Sequence, residues 1–175
     1  MGALHVIQAR LGSFVVSVVL VALQLVIMSD WRIAGAVVVV PWMWAFALGL
    51  SGQRALAVGT GVVTGLLLDA HLATPFGASA VLGALTGWVA SALGREGVGD
   101  LDSAAWWVTP GMALVTGLVA PLVFVIVAAA EGSTQLYQNG LLSAMLVNAL
   151  GFAVLARPLA RLGLLVTARL PREAR

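Results

Sequence analysis

The chain has 175 residues, 61% of them hydrophobic and 9% charged, with a net charge of +2 and no Cys. A soluble domain carries roughly 25% charged residues, so this composition leaves no room within the chain for a separate water-exposed domain. It also excludes disulfides, thiolate metal sites and thiol catalysis. The mean hydropathy is +1.06 and the pI about 10.5. All nine cations are Arg; with no soluble basic domain to gather them, they are read as topology signals and not as a nucleic-acid footprint. His5 and His71 lie far apart, so a zinc centre is not expected.

Residues 1–10 are read as a short cytoplasmic stub with one charge, because no small-residue cleavage pattern follows the first apolar run. Residues 11–28 form the first expected span, about 27 Å at 1.5 Å per residue. Ser29, Asp30, Trp31 and Arg32 make a polar turn with the Trp at headgroup depth. Residues 33–50 are expected to return as the second span, with Pro41 as an interior kink and Trp42, Trp44 and Phe46 as lipid-facing aromatic bulk.

Residues 55–72 and 76–93 form the third and fourth expected spans, and the stretch joining them is the most informative in the chain. Ala57, Gly61, Gly65 and Asp69 recur every four residues, as do Ser79, Gly83, Gly87 and Ser91; each set therefore shares one helix face. Such small-residue faces let two backbones approach closely. Thr74 and Pro75 have the form of an N-cap and first helical residue for the fourth span. The expected role of Asp69 is to accept from the unpaired amides of Phe76 or Gly77, stapling the hairpin. A partner or ligand contact and proton chemistry are the alternatives, although His71, two residues on, points to a different face.

Residues 95–102 are a charged, Gly-spaced loop, and Trp106 and Trp107 an interfacial anchor. Thr109 and Pro110 repeat the helix-start signature ahead of a fifth span over 111–130, with Pro121 as a second kink. Residues 136–156 are the sixth span, where Asn148 is expected to hydrogen-bond to a neighbouring helix. Residues 157–175 form a basic cytoplasmic tail with five Arg, suited to anionic lipid and containing a leucine-rich segment capable of lying on the membrane surface. With both ends inside, eight Arg are cytoplasmic and Arg32 alone is outside, as the positive-inside rule favours. The fold class is thus an all-α integral membrane protein, with residues 11–156 as one six-helix domain.

Six spans in so short a chain, a third ending GLLLD (Gly65–Asp69), then TPFG (Thr74–Gly77) and a Gly-rich fourth span, resemble the rod shape-determining MreD family. Gly65, Leu66, Leu67, Asp69, Pro75 and Gly77 match the family pattern, and Thr74 and Phe76 are compatible with it. The resemblance implies a fold similar to that of the S components of energy-coupling-factor transporters, in the bacterial inner membrane. It implies a non-enzymatic scaffold of the cell-elongation machinery, with no cofactor. Its partners would be an MreC-like bitopic protein, a RodA-type glycosyltransferase with its class B penicillin-binding protein, and MreB; a homodimer is also compatible. The interaction and structural residues are then Gly61, Gly65, Asp69, Thr74, Pro75, Phe76, Gly77, Gly83 and Gly87. A vitamin-binding transporter subunit is the alternative. It would need Gln24, Asp69, His71, Gln135, Tyr137, Gln138, Asn139 and Asn148 to converge. No nucleophile–base pair or phosphate-binding loop supports an enzyme.

Overall fold

The computed structural model describes residues 2–28, 33, 36–71, 76–94, 107–130 and 140–167. Within them the chain is all-helical. Helix α1 (Gly2–Leu23) passes into a π-helical turn over Gln24–Met28, followed by α2 (Val40–Leu50), α3 (Arg54–His71), α4 (Ala78–Leu93), α5 (Val108–Ala130) and α6 (Leu141–Thr167). The polar turn at 29–32, the loop at 95–102, Trp106 and the tail beyond 167 lie outside the described residues.

Several boundaries differ from expectation. Helix α1 begins at Gly2, so residues 2–10 are helical and continuous with the first expected span. Thr109 and Pro110 fall inside the first turn of α5, where Pro costs no hydrogen bond. Helix α6 runs through Pro158 to Thr167, carrying helical structure eleven residues past the expected start of the tail.

The largest departure is the second apolar segment. In place of a span over 33–50 there is only α2, 11 residues or about 16 Å long, too short to cross a bilayer. The cause is local. Pro41 lacks the N–H that would bond the Val37 carbonyl and its ring crowds that carbonyl, and the four Val residues at 37–40 are β-branched and stiff. Pro41 therefore sits in the first turn of α2 and is not an interior kink. Ahead of it, Ile33 and Ala36 exchange backbone hydrogen bonds of 2.8 and 3.0 Å.

Every residue of α2 is buried. Trp44 and Phe46 are 0% exposed and Trp42 4%, which corrects their reading as lipid-facing bulk. A short helix enclosed by α3, α4 and α6 has no outward face. Trp42 stacks tilted on Phe124, and Phe46 meets Phe152 edge-on. Both Trp indole N–H groups are buried without a hydrogen-bond partner.

Around α2 stand two helix pairs. Helices α3 and α4 share the most extensive interface, and α5 and α6 the next. At the second seam, a methyl group on Gly117 would lie 2.6 Å from the Ala149 Cα, so these backbones are also nearly in contact. Helix α1 is marginal, held by a 3.2 Å bond between the Ser13 and Thr60 hydroxyls and by Gly12 against Val166 of α6.

The distribution of polarity is inverted relative to a water-soluble protein. Ser13, Ser17, Gln24, Thr60, Thr64, Thr86 and Asn148 are buried, whereas Leu11, Phe14, Val19, Val115, Ile126, Leu150 and Val154 are exposed. Among the described residues there are six α-helices, of which only 108–127 and 141–166 contain a stretch long and apolar enough to cross a membrane. The remaining apolar stretches, including Arg10–Val26 and Ala78–Leu93, are shorter.

Candidate functional site: the α3–α4 hairpin

The four-residue recurrences in α3 and α4 face each other in antiparallel register. A Cβ added to Gly61 would collide with the backbone of Gly83, and one on Gly83 with the carbonyl of Gly61. Gly65 lies against the backbone of Ser79 and Ala80 in the same way. A methyl on Gly87 would stand 2.7 Å from the Ala57 carbonyl oxygen. No side chain lies between the two helices at these positions, so only Gly is accommodated. Helix α4 is nearly as close to α2, since a methyl on Gly49 would reach within 2.6 Å of the Gly87 carbonyl.

The seam ends at Asp69, 5% exposed. Its Oδ2 accepts from the Gly77 N–H at 2.9 Å and the Ser79 N–H at 3.1 Å, with Oδ1 3.3 Å from the same Ser79 nitrogen. The first amides of a helix have no intrahelical acceptor and carry partial positive charge; a carboxylate from the preceding helix supplies both needs. The acceptor geometry includes Gly77, as the sequence suggests, but Ser79 takes the place of Phe76. Phe76 is 73% exposed and takes no part.

Helix α4 starts at Ala78, with Gly77 as its cap at φ 101° and no capping side chain of its own. The left-handed backbone there suits glycine and turns the chain so that two amides face back toward α3. Thr74 and Pro75, expected as N-cap and first helical residue, lie outside the described residues and precede the observed cap. Gly61, Gly65, Asp69, Gly77, Gly83 and Gly87 are thus brought together in one seam. Ser79 and Gly49 belong with them. Ser79 was visible in the ladder, but its backbone role has no sequence signal; Gly49 has none either.

His71 is exposed, and its Nδ1 donates to the Leu67 carbonyl of its own helix at 2.9 Å. It is not linked to Asp69 in a relay. Among the described residues no group of three His, Asp or Glu could hold a metal.

A second polar cluster seals the start of α2. The Gln24 Oε1, at the head of the π-helical turn, accepts from the Val40 N–H at 3.0 Å. The Asn148 Oδ1 accepts from the Val39 N–H at 3.0 Å, while its Nδ2 donates to the carbonyls of Val37 (3.2 Å) and Ala144 (2.9 Å). Asn148 therefore bonds to the non-helical stretch before α2, not to a neighbouring helix as expected. Of the eight scattered polar residues, Gln24 and Asn148 converge here, and Asp69 and His71 stand elsewhere. Gln135, Tyr137, Gln138 and Asn139 lie outside the described residues.

Comparison with protein-family models, with characterised proteins and with solved structures gives no match in any of the three. The functional reading rests on the geometry and on the sequence motif that coincides with it.

Proposed function

We propose that this chain is a multi-pass membrane protein that acts as a non-enzymatic scaffold, in the manner of the MreD family. The observation that carries the reading is the coincidence of motif and joint. Of the six residues that match the family pattern, Gly65, Asp69 and Gly77 lie in the joint between α3 and α4, where the carboxylate accepts from the Gly77 and Ser79 amides. A buried carboxylate that accepts from two helix-start amides has a packing role, which supports the scaffold reading. The exposed aliphatic surface and buried polar interior support a lipid environment, since so large an apolar exterior is unfavourable in water. In that environment the partners are those of a cell-elongation complex: a bitopic MreC-like protein first, then the RodA-type glycosyltransferase, its penicillin-binding partner and MreB.

The positions of the charges support both ends lying on the cytoplasmic side. Leu50 of α2 packs on Gly94 at the end of α4, Ala47 on Gly163 of α6, and Gly12 of α1 on Val166. Arg10 and Arg54, close to these contacts in sequence, are thus gathered toward one end of the molecule, with Asp69 at the other.

A transporter-subunit reading draws on the convergence of Gln24 and Asn148. Their bonds go to the backbone of Val37, Val39 and Val40, which favours a structural seal over a ligand site. The deciding experiment is affinity purification of the full chain from native membranes. Recovery of a bitopic coiled-coil protein together with a polymerising glycosyltransferase supports the scaffold. Recovery of a stoichiometric vitamin-sized molecule with an ATPase module would replace it.

A further inference from the structure

We infer that the exposed face of the last turns of α6 binds the phosphate of an anionic phospholipid through Arg157 and Arg161. This goes beyond the scaffold reading and rests only on its membrane part. Ala156, Ala160 and Gly163 are buried, and Gly163 faces the Ala47 backbone of α2. The other side of the same helix is exposed at Arg157, Pro158, Arg161, Leu162 and Leu165. By helical spacing the two arginines, four residues apart, share one stripe with Leu150 and Val154, which precede them on the membrane side.

Two guanidinium groups one turn apart can grip one phosphate with paired N–H···O bonds. Leu150 and Val154, 62% and 72% exposed and deeper in the membrane than the arginines, suit an acyl chain better than water, so the ligand is a lipid and not free phosphate. Among the described residues no carboxylate competes for either arginine: Asp69 is the one described acid, and it is engaged at the far end of α3. Arg54 differs, because its guanidinium lies over the Trp88 ring at 5.6 Å.

The test uses the full chain purified in a neutral detergent and titrated with phosphatidylglycerol, phosphatidylcholine or inorganic phosphate. Bound lipid is read by native mass spectrometry and protection by the thermal midpoint. At about 1 kcal/mol per Arg near an anionic surface, the double variant R157Q/R161Q should bind phosphatidylglycerol roughly 30-fold more weakly. R157K/R161K, which keeps the charge but not the paired N–H donors, should bind more tightly than R157Q/R161Q and more weakly than the parent, and R54Q should match the parent. Equal titration by phosphatidylcholine, equal protection by inorganic phosphate, or unchanged binding by R157Q/R161Q would each overturn the proposal. A chain that remains monodisperse in water without detergent would overturn the membrane reading as well, and so is distinguishable from a failure of the lipid site alone.

Discussion

Removing the carboxylate of Asp69 gives the sharpest test of the hairpin. In Asp69→Ala two amides lose their acceptor, the buried Ser79 N–H and the half-buried Gly77 N–H. An unpaired buried donor costs about 1–3 kcal/mol, and a lost N-cap about 0.5–2 kcal/mol. Because Gly77 is half-buried, its share falls in the lower part of that range, and the total is about 2–4 kcal/mol. Asp69→Asn keeps one acceptor oxygen but loses the charge and turns an NH2 toward a donor, for about 1–2 kcal/mol. Ser79→Ala keeps the backbone amide and serves as control, within about 0.5 kcal/mol of the parent. The assay is reversible unfolding by SDS in mixed micelles, followed by Trp fluorescence, to which the buried Trp42 and Trp44 contribute. If both Asp69 variants unfold within 0.5 kcal/mol of the parent, the capping argument fails.

Three further outcomes follow from the packing and are measured in the same assay. Gly61→Ala should destabilise by at least the 1–3 kcal/mol typical of overpacking, because the obstacle is backbone; Gly59→Ala, where no atom lies within 4 Å, should stabilise by about 0.4–1 kcal/mol. Asn148→Leu leaves the Val39 amide and the Val37 carbonyl without partners, for about 2–4 kcal/mol, and a double-mutant cycle with Gln24→Leu should reveal coupling through the start of α2. Trp44→Phe should cost under about 1.5 kcal/mol, because the unpaired indole N–H leaves with the lost volume, whereas Trp44→Ala should cost about 3–5 kcal/mol.

The α3–α4 seam was legible because its information is local and periodic. Small residues every four positions define a face, and an acid at the end of that face, a few residues before the next helix, defines its acceptor role. The start of that helix was less legible. Thr74 and Pro75 carry the usual signature, but the cap is Gly77, whose acceptor comes from the previous helix and not from its own side chain. The interruption before α2 was hidden for a different reason. Hydropathy cannot separate a Val-rich helix from a Val-rich non-helical stretch, and the groups that satisfy that backbone, Gln24 and Asn148, lie 16 and 109 residues from the amides they cap. The burial of Trp42, Trp44 and Phe46 was missed with it, since an aromatic run facing lipid and one enclosed by helices read alike.

The enclosure of α2 also bears on how the chain is made. A segment of 11 residues that meets protein on all sides has no stable resting place while the ribosome is still extending the chain. Its cap at Asn148 and its contact at Gly163 belong to α6, and Asn148 lies 109 residues beyond the amide it caps. Final seating of α2 must therefore wait for α6, so this part of the chain closes backward, a later helix locking an earlier one.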